Sequence, residues 1–104
     1  MKSNSPIVST SSSNIFDILK DREKRSIRTE MWSSHEMPAN ILFERLEDRQ
    51  TQVLSFFADG SLYETWAVEN DDAQAVRDEL WDDGFRPYSM KNGQIVSIGR
   101  EELN

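Results

Sequence analysis

Asp59-Gly60 is the strongest local signal in the chain. It separates two apolar runs, 52–58 and 61–69. Glycine tolerates positive φ, so Asp-Gly between such runs favours a two-residue hairpin of the primed type. An amphipathic stretch follows at once. Asn70 or Asp71 offers a cap, and Ala73, Val76 and Leu80 fall at i, i+3 and i+7, with Trp81 on the flank. Gly84 suits the left-handed position after a helix, Phe85 can pack back on the last turn, and Pro87 prevents continuation. This spacing predicts a helix over 71–83. A hairpin feeding a helix is the unit around which the rest of the chain must pack.

The flanking segments extend that unit. Residues 40–47, with Ile41, Leu42, Phe43 and Leu46, read as a strand, followed by a turn at 48–51. Residues 88–90 and 94–98 form a second hairpin through Lys91-Asn92-Gly93. Ile27, Thr29 and Met31 alternate and predict an edge strand over 26–32. Ile15, Phe16, Ile18 and Leu19 predict a helix of about two turns behind an Asn14 or Ser13 cap. The basic run 20–28 interleaves acids with bases and reads as a solvated linker. Residues 1–13 are serine-rich and too poor in apolar groups to offset the entropy of ordering, so a disordered tail is expected there. The fold class expected is α+β: a single domain over 14–104. Its antiparallel sheet has about four to six strands, a meander over 40–69 plus the C-terminal hairpin. The 71–83 helix packs on one face, and a short helix stands at the N-terminus.

Composition excludes several function classes. The chain has no cysteine, hence no disulfide, thiolate metal site or cysteine nucleophile. His35 is the sole histidine, so no usual zinc site can form around it, and it is expected in an ordinary loop. No cofactor and no metal are expected. There is no run of 18 apolar residues and no apolar segment behind Lys2, so neither a membrane span nor a secretory leader is expected; the expected location is cytoplasmic. No nucleotide-binding, hydrolase, metalloprotease or calcium-loop motif is present.

The net charge of −7 is uneven. Residues 1–30 hold six basic and four acidic side chains, +2; residues 31–104 hold six and fifteen, −9. An acidic body disfavours binding to a phosphate backbone and suits a basic protein partner. Asp78, Glu79 and Asp82 fall opposite the Val76/Leu80 stripe, and Asp82 and Asp83 lie at the helix's negative end, where carboxylates are disfavoured. These four residues are the leading binding candidates.

Strand register supplies two further candidates. With a two-residue turn at 59–60, Ser55 faces Glu64 and Val53 faces Trp66. With a four-residue turn at 48–51, Glu44 faces Ser55 and Leu42 faces Phe57. A row Glu44–Ser55–Glu64 then crosses one face, where two carboxylates among apolar groups suit acid–base work or cation binding. The opposite face shows Phe43, Phe56 and Tyr63. Both faces are apolar and both need cover, so a face left bare would be an interface for a homodimer or a protein partner. The leading expectation is a small acidic regulatory module without catalytic activity. Its acidic helix would meet a basic, nucleic-acid-binding protein, as an inhibitor does by imitating phosphate charge. The alternatives are a ligand-binding protein or enzyme using Glu44 and Glu64, and an oligomeric structural protein.

Overall fold

The computed structural model describes residues 14–36, 39–46 and 49–103. The expected tail over 1–13 lies outside the described residues. The elements are α1 (Ile15–Lys24), β1 (Glu30–Ser33), β2 (Ala39–Arg45), β3 (Gln50–Phe57), β4 (Leu62–Glu69), α2 (Asn70–Asp82), β5 (Arg86–Lys91), β6 (Gln94–Ser97) and a 3₁₀ turn at Arg100–Leu103. The fold is α+β, with one six-stranded antiparallel sheet in the order β4-β3-β2-β1-β5-β6 and two helices.

Each face of the sheet carries its own apolar cluster. On one, Met31, Leu42, Leu54 and Phe56 pack with Ile15 and Leu19 of α1. On the other, Trp32, Ile41, Phe43 and Val53 pack with Ala73 of α2 and with Phe85, while Val76, Leu80 and Trp81 close the edge. The alternation along β2 and β3 sends successive apolar residues to opposite faces, so a single helix cannot cover both. The short α1 supplies the second cover.

The local signals in the α2 region operate as expected. Gly84 adopts φ 94°. The Phe85 amide donates to the Leu80 carbonyl and the Gly84 amide to the Trp81 carbonyl, the paired closure of a helix by a left-handed residue. Asn92 and Gly93 adopt φ 54° and 77°, the double positive turn of a two-residue hairpin, with Lys91 opposite Gln94.

Several expectations need correction. β1 is interior, between β2 and β5, instead of at an edge. α1 runs through the basic segment as far as Lys24, and Arg22 docks on the sheet, so that segment is not a free linker. The α2 cap position is Glu69, without a side-chain bond to the helix; Asn70 instead accepts from the Thr51 hydroxyl.

The Asp59-Gly60 reversal is longer than two residues. The Phe57 amide donates to the Ser61 carbonyl, Gly60 stands at φ 93°, and the Asp59 carboxylate accepts from both the Ser61 amide and its hydroxyl. This pairing offsets the strands by one residue, and an irregularity at Ser55/Phe56 restores the expected register. Beyond it, Ser55 faces Glu64 and Val53 faces Trp66, as the sequence predicts.

The β2–β3 register differs by three residues. Glu44 pairs with Gln52, and Ile41 with Ser55. The reversal starts earlier than 48–51, because Arg49 takes φ 65° and the Leu46 amide donates to Gln50. This register sets Leu42 against Leu54 and Phe43 against Val53, with all four side chains buried. The expected register would have placed Leu46 in a core face, whereas Leu46 is 37% exposed.

Candidate functional site

An odd shift of register turns every side chain of a strand to the other face. The row Glu44–Ser55–Glu64 therefore does not form. Ser55 and Glu64 share the α2 face with Ile41 and Val53. Glu44 lies on the α1 face, where Arg22 grips it: Nε donates to Oε2 at 2.6 Å and a terminal nitrogen to Oε1 at 3.3 Å. The Glu44 carboxylate raises the Arg22 guanidinium above its ordinary range. Glu44 does border a surface cleft of about 330 Å³, but the cleft's charged walls are Arg22, Arg25, Arg28 and Arg45, and Glu64 has no part in it. Acid–base work by this pair of carboxylates has no geometry here.

The apolar set Phe43, Phe56 and Tyr63 is also divided. Phe43 is buried under α2 and Phe56 under α1. Only Tyr63 is open, at 60% exposure, with its ring 5.0 Å from that of Phe57.

The remaining candidate is the outer face of α2. From Glu69 to Asp83 the sequence holds seven acidic residues and one basic one, Arg77. The apolar stripe Ala73, Val76, Leu80 faces the sheet, which turns Asp71, Asp72, Ala75, Glu79, Asp82 and Asp83 to solvent. None of these five carboxylates has a cationic partner among the described residues. Asp78 is different. It sits half-buried on the flank, accepts from Gln74, and is ion-paired with Arg100. The open acidic face is thus Asp71, Asp72, Glu79, Asp82 and Asp83, with Asp78 neutralised beside it.

Two devices hold this face in place, and neither has a local sequence signature. The first joins α2 to β1. Arg77 donates to both oxygens of Glu30, at 2.7 and 2.9 Å, and the Trp32 indole N–H donates to the same carboxylate at 2.6 Å. Arg77 also lies 5.1 Å over the Phe43 ring. Both side chains of the pair are only 15% exposed.

The second device closes the helix's C-terminal end. The Arg86 guanidinium lies 3.8 Å from the Trp81 ring centre and donates to the Trp81 and Phe85 carbonyls; Arg100 stands 4.8 Å from the same ring. These cations offset the negative helix end that Asp82 and Asp83 would otherwise aggravate. Among the described residues, no three His, Cys, Asp or Glu side chains are grouped to hold a metal ion, and no helix is long and apolar enough to cross a membrane.

No family model matches this chain, and neither the curated proteins nor the solved structures contain a match to it.

Proposed function

We propose that this chain is a binding module without catalytic activity, which offers the outer face of α2 to a basic protein partner. The carrying observation is the set of five open carboxylates on one rigidly held helix. From Asp71 to Asp83 the chain rises about 18 Å, so the five charges stand about 4.5 Å apart on average along the axis. One strand of duplex DNA carries a charge about every 3.4 Å along its axis. A partner whose basic groove reads a line of phosphates would meet a field of the same sign and somewhat lower density here, which favours a nucleic-acid-binding protein as the target and inhibition as the outcome. Electrostatic attraction of this kind chiefly speeds association and weakens with salt.

The test is a charge reversal of Glu79, Asp82 and Asp83 to Lys, leaving Asp78 in its pair with Arg100. A basic partner captured by the wild type should be lost by the triple variant, and duplex DNA should displace it from the wild type. Circular dichroism checks that α2 survives the change. A partner retained equally by both proteins, and unmoved by DNA, would refute this surface as the binding site.

A further inference from the structure

Strand β4 forms one margin of the sheet and spans eight residues, Leu62–Glu69. Its residues are exposed or half-exposed throughout. Asn14 bridges Ser61 just before it, and no described strand lies beyond Leu62–Glu69 on the outer side. A margin of this length presents a row of unpaired backbone groups, which proteins ordinarily guard with Lys, Pro, a bulge or short length. The other margin, β6, is guarded by shortness, with four residues. β4 contains no Lys, Arg or Pro. Its irregularity lies near Tyr63, which leaves 64–69 regular. Trp66 is 38% exposed in the middle of that regular segment.

We propose that β4 pairs antiparallel with β4 of a second copy, about a two-fold axis through Trp66 and normal to the sheet. Glu64 then faces Val68 and Thr65 faces Ala67, so no carboxylate opposes another, while the two Trp66 rings meet across the axis. A strand is self-complementary in this way only if its charges fall off the centre, and those of β4, Glu64 and Glu69, do so. The chain's own segment before Asn14 is the poorer occupant, because residues 9–13 are all Ser or Thr and bring no apolar surface to the indole. The axis keeps both α2 helices on one side of the joined sheet, running in opposite directions, so the assembly carries two acidic faces on the same side. The pairing itself does not depend on the binding role argued above.

A seam of one strand per copy falls at the small end of specific interfaces, so association is expected only at tens of micromolar and above. Sedimentation velocity on the full chain, from about 10 μM to about 1 mM, should show the mass rising from 12.1 kDa toward twice that value. Trp66→Lys sets like charges across the axis and should hold the protein at monomer mass throughout. An equimolar mixture of Trp66→Lys with Trp66→Glu should restore the doubled mass, which a variant that merely misfolds cannot do. A wild type that stays monomeric overturns the proposal, whether a foreign strand or the N-terminal segment then proves to cover β4. So does a doubled mass that survives Trp66→Lys.

Discussion

Replacing Arg77 by Met tests how α2 is held to the sheet. The substitution keeps an unbranched apolar stem and removes the guanidinium, with its bonds to Glu30 and its place over the Phe43 ring. Among the described residues Glu30 then keeps only the Trp32 N–H as partner, in a site where its side chain is 15% exposed. Breaking a buried pair by removing one partner costs about 3–5 kcal/mol, and the residual exposure places this one near the lower end, at about 3 kcal/mol. Against a typical total of roughly 5–15 kcal/mol, that is a large fraction of the stability. Unfolding entropy of about 2.1 cal/mol/K per residue converts it to a fall in Tm of about 14 °C. Adding Glu30→Gln removes the stranded charge yet leaves a carbonyl for the Trp32 N–H. The double variant should therefore recover to within about 1 kcal/mol of wild type. Urea denaturation of the four proteins closes the cycle. A cost below about 1 kcal/mol for Arg77→Met, the value for an exposed pair, would refute the reasoning.

Two further outcomes follow from the Asp59-Gly60 reversal. A Cβ on Gly60 would lie 2.8 Å from the Asn14 amide nitrogen, whereas one on Gly93 would meet nothing within 4 Å; both have positive φ. Gly93→Ala should cost about 1 kcal/mol in urea denaturation and Gly60→Ala about 2, since the latter also displaces Asn14 from the α1 cap; equal costs would discount the Asn14 contact. The Ser61 hydroxyl, and then its amide, hold the Asp59 carboxyl below the ordinary aspartate range. The native state therefore binds this proton less readily than the unfolded chain, and the stabilisation is present above the ordinary carboxylate pKa and lost as pH falls through the lowered one. Ser61→Ala should move the Asp59 titration back up in a carboxyl NMR experiment; an unmoved titration would remove the hydroxyl as its cause.

The residues that could be read correctly from sequence are those whose partners are close by. Gly84 and Phe85 close a helix through bonds to Leu80 and Trp81, and Asn92-Gly93 joins strands that it touches. The β3–β4 register is likewise governed by one reversal. The β2–β3 register failed because a non-glycine residue, Arg49, takes the left-handed conformation. No composition rule marks that, and the three-residue error it caused created the Glu44–Glu64 row. The charge partners were out of reach for a different reason. Arg77 meets Glu30 across 47 positions, and Arg22 meets Glu44 across 22. Sequence counting places such charges on surfaces; only the topology places them together.

The two-sided sheet was legible, and it explains why the molecule needs its short first helix. Ten residues of helix are marginal alone in water, so the helicity of Ile15–Lys24 must come from docking. The docking groups are Ile15 and Leu19, both almost fully buried, and they cover Leu42 and Phe56 on the face that α2 cannot reach. Arg22 then pairs with Glu44 one turn further along, and Glu23 accepts from the Gly93 amide of the β5–β6 turn. The basic segment that reads as a linker is thus the second half of the cover. Two of its arginines reach the acidic body, Arg22 at Glu44 and Arg28 at Glu102, while the outer face of α2 stays an open field of a single sign. Pairing at Glu44 and Asp78, with Asp71, Asp72, Glu79, Asp82 and Asp83 left without a cationic partner among the described residues, gathers five open charges on one helix. That concentration, and not the net charge of −7, is what the proposed binding role rests on.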